Sequence, residues 1–203
     1  MTETKLTWVI ASHNPHKAEE LAAMLSGVPV EVVALDKETE VPQETGKTLL
    51  ANAQIKARAA AKLTGQLALA DDSGLEVDAL GGQPGVQSAR YAGEGASFED
   101  NNQKLLKGLA GIHDVNRRAR FRCVLVLASP EGKEITAEGR IEGFITAALR
   151  GEGGFGYDPL FIPEGMDRSL AELSSEEKNK LSHRARAVEN LKVNLERLER
   201  WEP

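Results

Sequence analysis

The chain has 203 residues, enough for one sizeable core, and its 41% apolar and 28% charged content is that of an ordinary globular protein. A formal net charge of −6 argues against a nucleic-acid partner, because that binding depends on basic patches that displace counterions from phosphates. Any polyanionic ligand must then be held by a few local lysines and arginines.

No stretch approaches the ~20 apolar residues of a membrane span, and the N-terminal apolar run is too short for a secretory signal. The single cysteine, Cys123, lies in the apolar run FRCVLVLA, where it reads as a small buried hydrophobe. These features predict a cytoplasmic protein with no membrane partner.

LTWVIA (residues 6–11) reads as a buried strand. The polar turn SHNP follows, then a helix over HKAEELAAMLSG, in which Leu21 and Leu25 recur at helical spacing and Gly27 is a stop. PVEVVAL (29–35) is a second strand, and KTLLANAQIKARAAAKLTG is a helix rich in Ala, Leu and Lys that ends at Gly65. LALA (67–70) predicts a short strand and LEVDAL another extended piece, with Asp71, Asp72, Ser73 and Gly74 between them, a sequence that also suits a turn.

Beyond the turn GGQPGV, Ser97 and Asp100 resemble a capping box that opens a helix over FEDNNQKLLKGLAG. ARFRCVLVLAS, the turn PEGK and EITAEGRIEG predict an antiparallel hairpin, which makes the sheet mixed. GEGGFGYDPLF (151–161) has four glycines, too many for a helix or strand interior, and it carries Phe155 and Tyr157 in a chain that is only 4% aromatic. The C-terminal run SSEEKNKLSHRARAVENLKVNLERLERW places apolar residues at 181, 185, 188, 191, 195 and 198, the spacing of an amphipathic helix. With no repeat, low-complexity tract or linker, residues 1–203 read as a single α/β domain.

Adjacent residues of a strand point to opposite faces, so Asp71 and Asp72 converge on one point only if the chain turns at Ser73 and Gly74. Otherwise one faces a site and the other supports it. Clustered carboxylates raise one another's pKa or demand a cation, and Mg²⁺ is the usual one where phosphate oxygens complete its shell. Lys17 lies three residues beyond Asn14 at a strand-to-helix junction, where free N–H groups and the helix dipole favour an anion. Lys56 follows Glu44, Thr45, Gly46 and Asn52 on a helix, and Lys178 precedes Ser182, His183 and Arg184. Taken singly, each lysine also suits a solvated surface charge. His113, in a loop, and His13 and His16, flanking the first turn, are weak signals, whereas His183 and Arg184 are adjacent donors at a helix start.

Five ordered segments, ASHNPHK (11–17), ETGKTLLANAQIKA (44–57), ADDSGLEVDALGGQPGVQSARYAGE (70–94), GGFGYDPLF (153–161) and EEKNKLSHRARA (176–187), resemble the motifs of the inosine triphosphate pyrophosphatase family. These enzymes remove ITP, dITP and XTP from nucleotide pools. The resemblance covers nearly the whole chain. It implies a long mixed β-sheet flanked by helices in two lobes, an active-site cleft between them, and a homodimer. The implied reaction is attack of water at the α-phosphorus of a nucleoside triphosphate, releasing the monophosphate and pyrophosphate.

By the same resemblance Asp72 is the general base and a Mg²⁺ ligand, Glu44 the second metal ligand and Asp71 a supporting carboxylate. Many relatives carry two acidic residues before Thr-Gly, and the first of those positions is Gln43 here. Ser12, His13, Asn14 and Lys17 match a phosphate-binding turn, Lys56 a second cation over the triphosphate, and Ser73 a substrate contact. Phe155, Gly156, Tyr157 and Asp158 match the nucleobase loop, with Phe155 stacking on the purine, and Lys178, His183 and Arg184 match the remaining substrate-binding positions. Two other readings use the same residues: a regulator that binds a purine nucleotide without hydrolysing it, and a metal-dependent phosphatase acting on other phosphate esters. Pyrophosphate as product excludes both.

Overall fold

A computed structural model describes residues 6–36, 39 and 42–197. β1 (Leu6–Ile10), α1 (Pro15–Met24) and β2 (Val30–Ala34) form a βαβ unit in which Leu6 pairs with Val30 and Ile10 with Ala34, in parallel register. α2 (Leu49–Thr64) then leads to β3 (Leu67–Val77), which pairs in parallel on the other side of β1 through Trp8 and Leu67. α3 (Phe98–Gly108), β4 (Arg118–Ala128), β5 (Glu134–Ile145), β6 (Phe161–Pro163), α4 (Ser175–Leu181) and α5 (His183–Arg197) complete the order. The six strands are arranged β2-β1-β3-β4-β5-β6. β5 and β6 are antiparallel, so the sheet is mixed, as expected.

Local chemistry explains most element ends. The Asn14 side chain caps α1 by accepting from the His16 and Lys17 N–H groups, and Gly65, at φ 65°, closes α2 in the left-handed region that glycine adopts without strain. Ser97 and Asp100 form the reciprocal capping box at α3. The β4–β5 turn is closed by the Ser129 N–H donating to the Lys133 carbonyl at 2.9 Å. No helix of the described residues is long and apolar enough to cross a membrane.

The chain divides into two compact units. One comprises residues up to Asp72, Cys123–Gly139 and the chain from Arg184; the other comprises Ser73–Arg122 and Arg140–His183. The core of the first joins Trp8, Ile10, Leu67, Leu69 and Leu125 on one sheet face to Leu21 of α1, Leu25 at its C-cap, and Val188 and Leu191 of α5. The core of the second joins Leu75, Val77 and Ile141 to Leu105 and Leu109 at α3, with Tyr157, Leu160 and Phe161.

Two sequence expectations are corrected. The chain does not turn at Asp71–Gly74: β3 runs unbroken from Leu67 to Val77, because cations from other elements meet both carboxylates and remove the need for the strand to end. The C-terminal stripe is not one helix. Ser182 is extended (ψ 163°) and separates α4 from α5, so that Leu181 packs in the second unit's core while Val188 and Leu191 pack in the first's. Leu198, the last position of that stripe, lies outside the described residues.

Candidate active site

Strand alternation places Asp71 and Asp72 on opposite faces of β3. On one face Asp71 Oδ2 accepts from Lys17 Nζ of α1 at 3.0 Å and from Arg184 Nη2 of α5 at 3.2 Å. Glu20, one turn beyond Lys17, holds the same guanidinium through Nη1 at 2.5 Å. Burial pushes the Asp71 carboxyl up, but Lys17, Arg184 and Lys56 together outweigh it and hold the group far below the usual carboxylate range. Burial likewise lowers the Arg184 pKa, and Asp71 leads the charges that more than restore it.

On the other face Asp72 meets α2. Asn52 Nδ2 donates to Asp72 Oδ2 at 3.1 Å, and Lys56 Nζ lies 3.5 Å from Asp72 Oδ1. The same ammonium donates to Glu44 Oε1 and to the Asp71 carbonyl, both at 2.7 Å. Burial raises the Asp72 pKa and Glu44 adds to the rise; Lys56 and Asn52 offset only part of it. Asp72 and Lys56 are 6% and 7% exposed, which is rare for charged groups unless they are paired.

Asp72 and Glu44 thus present hard carboxylate oxygens around one ammonium. That donor set suits Mg²⁺, which binds through one or two carboxylates while water and substrate phosphates fill its octahedron. Among the described residues no group of three or more His, Cys, Asp or Glu converges in a closed metal cage.

The β1–α1 turn is organised by its own side chains. Ser12 Oγ accepts from the Asn14 N–H at 3.2 Å, Asn14 caps the helix, and His13 is exposed. Ser73 is half-buried in β3 and, by alternation, on the Asp71 face.

In the second unit the glycine loop is built around Asp158. Its Oδ2 accepts from the Phe155 N–H at 2.8 Å and from Lys178 Nζ at 2.6 Å, and both partners of that ion pair are buried. Gly154 is required there: its φ is 69°, and a Cβ would lie 2.2 Å from Asp158 Oδ2. The Lys178 ammonium sits 4.5 Å from the Phe155 ring centroid, a cation–π distance. Gly156 accepts from Asn102 Nδ2 at 3.0 Å. Tyr157 lies in the core with its hydroxyl donating to the Ser88 carbonyl at 2.9 Å, and burial raises its pKa. His183 is buried, its ring stacked on Phe121 at 4.8 Å.

Of the residues singled out from the sequence, the structure gathers Lys17, Glu44, Lys56, Asp71, Asp72 and Arg184 into one charged cluster, and Phe155, Asp158 and Lys178 into another. Three participants were not singled out: Asn52, Glu20 and Asn102. Spacing gave a clue to the first two, since Asn52 lies one turn before Lys56 and Glu20 one turn after Lys17.

A model of the Ham1 family matches residues 8–194. The chain is 50% identical over 189 residues to a dITP/XTP pyrophosphatase of Elusimicrobium minutum, covering 90% of this chain and 96% of that one. It is 48% identical over 190 residues to a protein of the same name from Bacillus subtilis, covering 93% and 96%. Among solved structures, a HAM1 protein from Coxiella burnetii matches with a TM-score of 0.84 at 42% identity, covering 95% of this chain and 99% of that one. A nucleoside-triphosphatase, dITP/XTP pyrophosphatase, from Mycobacterium abscessus matches with a TM-score of 0.71 at 44% identity, covering 91% and 97%. The chain belongs to the Ham1 family.

Proposed function

We propose that this protein hydrolyses noncanonical purine nucleoside triphosphates, ITP, dITP and XTP, to the monophosphate and pyrophosphate, and so keeps them out of DNA and RNA. The observation that carries the mechanism is the placement of Asp72 and Glu44 about Lys56, with the Asn52 amide donating to Asp72 Oδ2. In this reading Lys17, at the N-terminal turn of α1, and Lys56 bind triphosphate oxygens, and Ser12, His13 and Asn14 present the turn that approaches them. Mg²⁺, held by Asp72 and Glu44, would neutralise the triphosphate and polarise the attacking water. Asp72 orients that water and accepts its hydrogen bond, while Asp71 holds Lys17 and Arg184 in place through its Oδ2.

Phe155 stacks on the purine, with Gly156, Tyr157 and Asp158 shaping the loop and Lys178 backing the ring. His183 and Arg184 supply donors to the 6-keto oxygen of hypoxanthine or xanthine; Arg184 has five N–H groups, and its bonds to Asp71 and Glu20 set its plane. The 6-amino group of ATP presents donors to those donors, a mismatch that discriminates by about 10⁴-fold where buried groups are left unpaired. The family resemblance supports Ser73 as a substrate contact and a homodimer; the acidic net charge weighs against a nucleic-acid partner, and we place the protein in the cytoplasm.

The test is a product assay with Mg²⁺ and, separately, ITP, XTP, GTP and ATP, resolving pyrophosphate from orthophosphate. Pyrophosphate with IMP or XMP, and little from ATP, supports the reading. Orthophosphate with a diphosphate moves the scissile bond and overturns it, and ITP binding without turnover favours a nucleotide-binding regulator.

A further inference from the structure

We infer that Asn102 and Phe98, one turn apart on the same face of α3, are positioning residues that hold the Phe155 loop in the shape that selects the base. The inference rests on the reading of that loop as the purine site.

Four observations lead to it. First, the Phe155 segment is clamped at both ends: its N–H donates to Asp158 Oδ2 at 2.8 Å, and the carbonyl of the next residue, Gly156, accepts from Asn102 Nδ2 at 3.0 Å. Second, Gly156 stands at φ 64°, a conformation open to glycine but rarely to side-chain-bearing residues, so the residue there is a flexible one, and Asn102 is the side chain that holds its carbonyl. Third, Phe98 lies 6.1 Å from the Phe155 ring centroid at a 38° tilt, within the range of aromatic pairs, and is 44% exposed. Positions four apart on a helix share a face, so one surface of α3 touches both the ring and the backbone of the loop.

The fourth observation separates positioning from simple packing. Asn102 is 5% exposed, and its Oδ1 has no hydrogen-bond partner among the described residues. Flipping the amide would set an oxygen against the Gly156 carbonyl, so its orientation is imposed by that one bond. An apolar side chain would fill the same space without an unsatisfied acceptor. What the asparagine adds is the hold on Gly156. The neighbouring Asn101, in contrast, is satisfied at both ends, accepting from the Ala92 N–H at 2.7 Å and donating to the Ala89 carbonyl at 3.2 Å.

The experiment measures inhibition of ITP hydrolysis by three probes, IMP, ribose 5-phosphate and inorganic pyrophosphate, in the wild type and in Asn102→Ala, Asn102→Asp and Phe98→Ala. The exposure of Phe98 keeps that variant folded if the Asn102 variants do not fold. The expected result is IMP inhibition weakened about 10-fold in both Asn102 variants and about 3-fold in Phe98→Ala, with pyrophosphate inhibition within 2-fold of wild type, as placement effects in an aromatic site allow. IMP inhibition unchanged in all the folded variants overturns the inference, as does equal weakening of IMP and pyrophosphate. If the wild type itself binds IMP no better than ribose 5-phosphate, the reading of the loop as the base site falls, and the inference with it.

Discussion

The Asn52 amide donates to Asp72 Oδ2 at 3.1 Å and accepts from the Gly46 N–H at 2.8 Å, so one fully buried side chain joins the Asp72 strand to the loop that carries Glu44. Gly46 leaves room for it: a Cβ there would lie 2.6 Å from Asn52 Oδ1. Asn52→Ala is expected to lower kcat roughly 10–100-fold, the usual effect of losing a group that orients a ligating carboxylate. Steady-state kinetics over a Mg²⁺ titration, beside a melting curve, checks this; the half-saturating Mg²⁺ concentration should rise in the variant.

Asp72→Asn is nearly isosteric but neutral. Turnover is expected to fall by at least ~10²-fold, the low end for a positioned acid–base group. Single-turnover rates measure it, and near-normal activity would remove Asp72 from its assigned role.

The two adjacent aspartates should affect stability in opposite directions. Asp71 has its pKa depressed, so the unfolded state binds more protons and its contribution, fully present above the ordinary value of about 4, is lost as pH falls further toward the folded one. Asp72 has its pKa raised, so the folded state binds more protons, and its ionised form destabilises above that raised value. In EDTA at pH 7, Asp71→Asn should therefore destabilise by about 3–5 kcal/mol, the cost of breaking a buried charge pair from one side, while Asp72→Asn leaves stability unchanged or higher. Urea unfolding of both variants distinguishes the two signs.

Arg184→Ala should also destabilise by about 3–5 kcal/mol, because it removes the buried guanidinium that Asp71 and Glu20 share. At a temperature where the variant remains folded, a KM for ITP that rises far more than any residual ATP reaction changes would place Arg184 at the base. Equal effects on both substrates would leave it as a countercharge only.

Gly154→Ala puts a Cβ against Asp158 at a φ of 69°. The Asp158 bond to the Phe155 N–H should break, raising KM for ITP while pyrophosphate inhibition stays near wild type. Competition assays with the two ligands check it.

By itself the sequence determined the features whose causes are local. The strands at 6–10 and 30–34, the Gly65 stop, the Ser97–Asp100 capping box and the mixed sheet follow from periodicity and caps acting within a few residues. Five motifs also gave the family. Tertiary structure alone decided whether β3 would pass through Asp71 and Asp72, because the groups that permit it, Lys17, Lys56 and Arg184, lie far away in the chain, up to 113 positions from Asp71. It also decided the break at Ser182, where apolar periodicity continues but successive turns enter different cores. Asn102 was illegible for the same reason, and spacing hinted at Asn52 without naming its partner. A buried amide takes its meaning from the one carboxylate or carbonyl it meets, and local spacing does not name that partner.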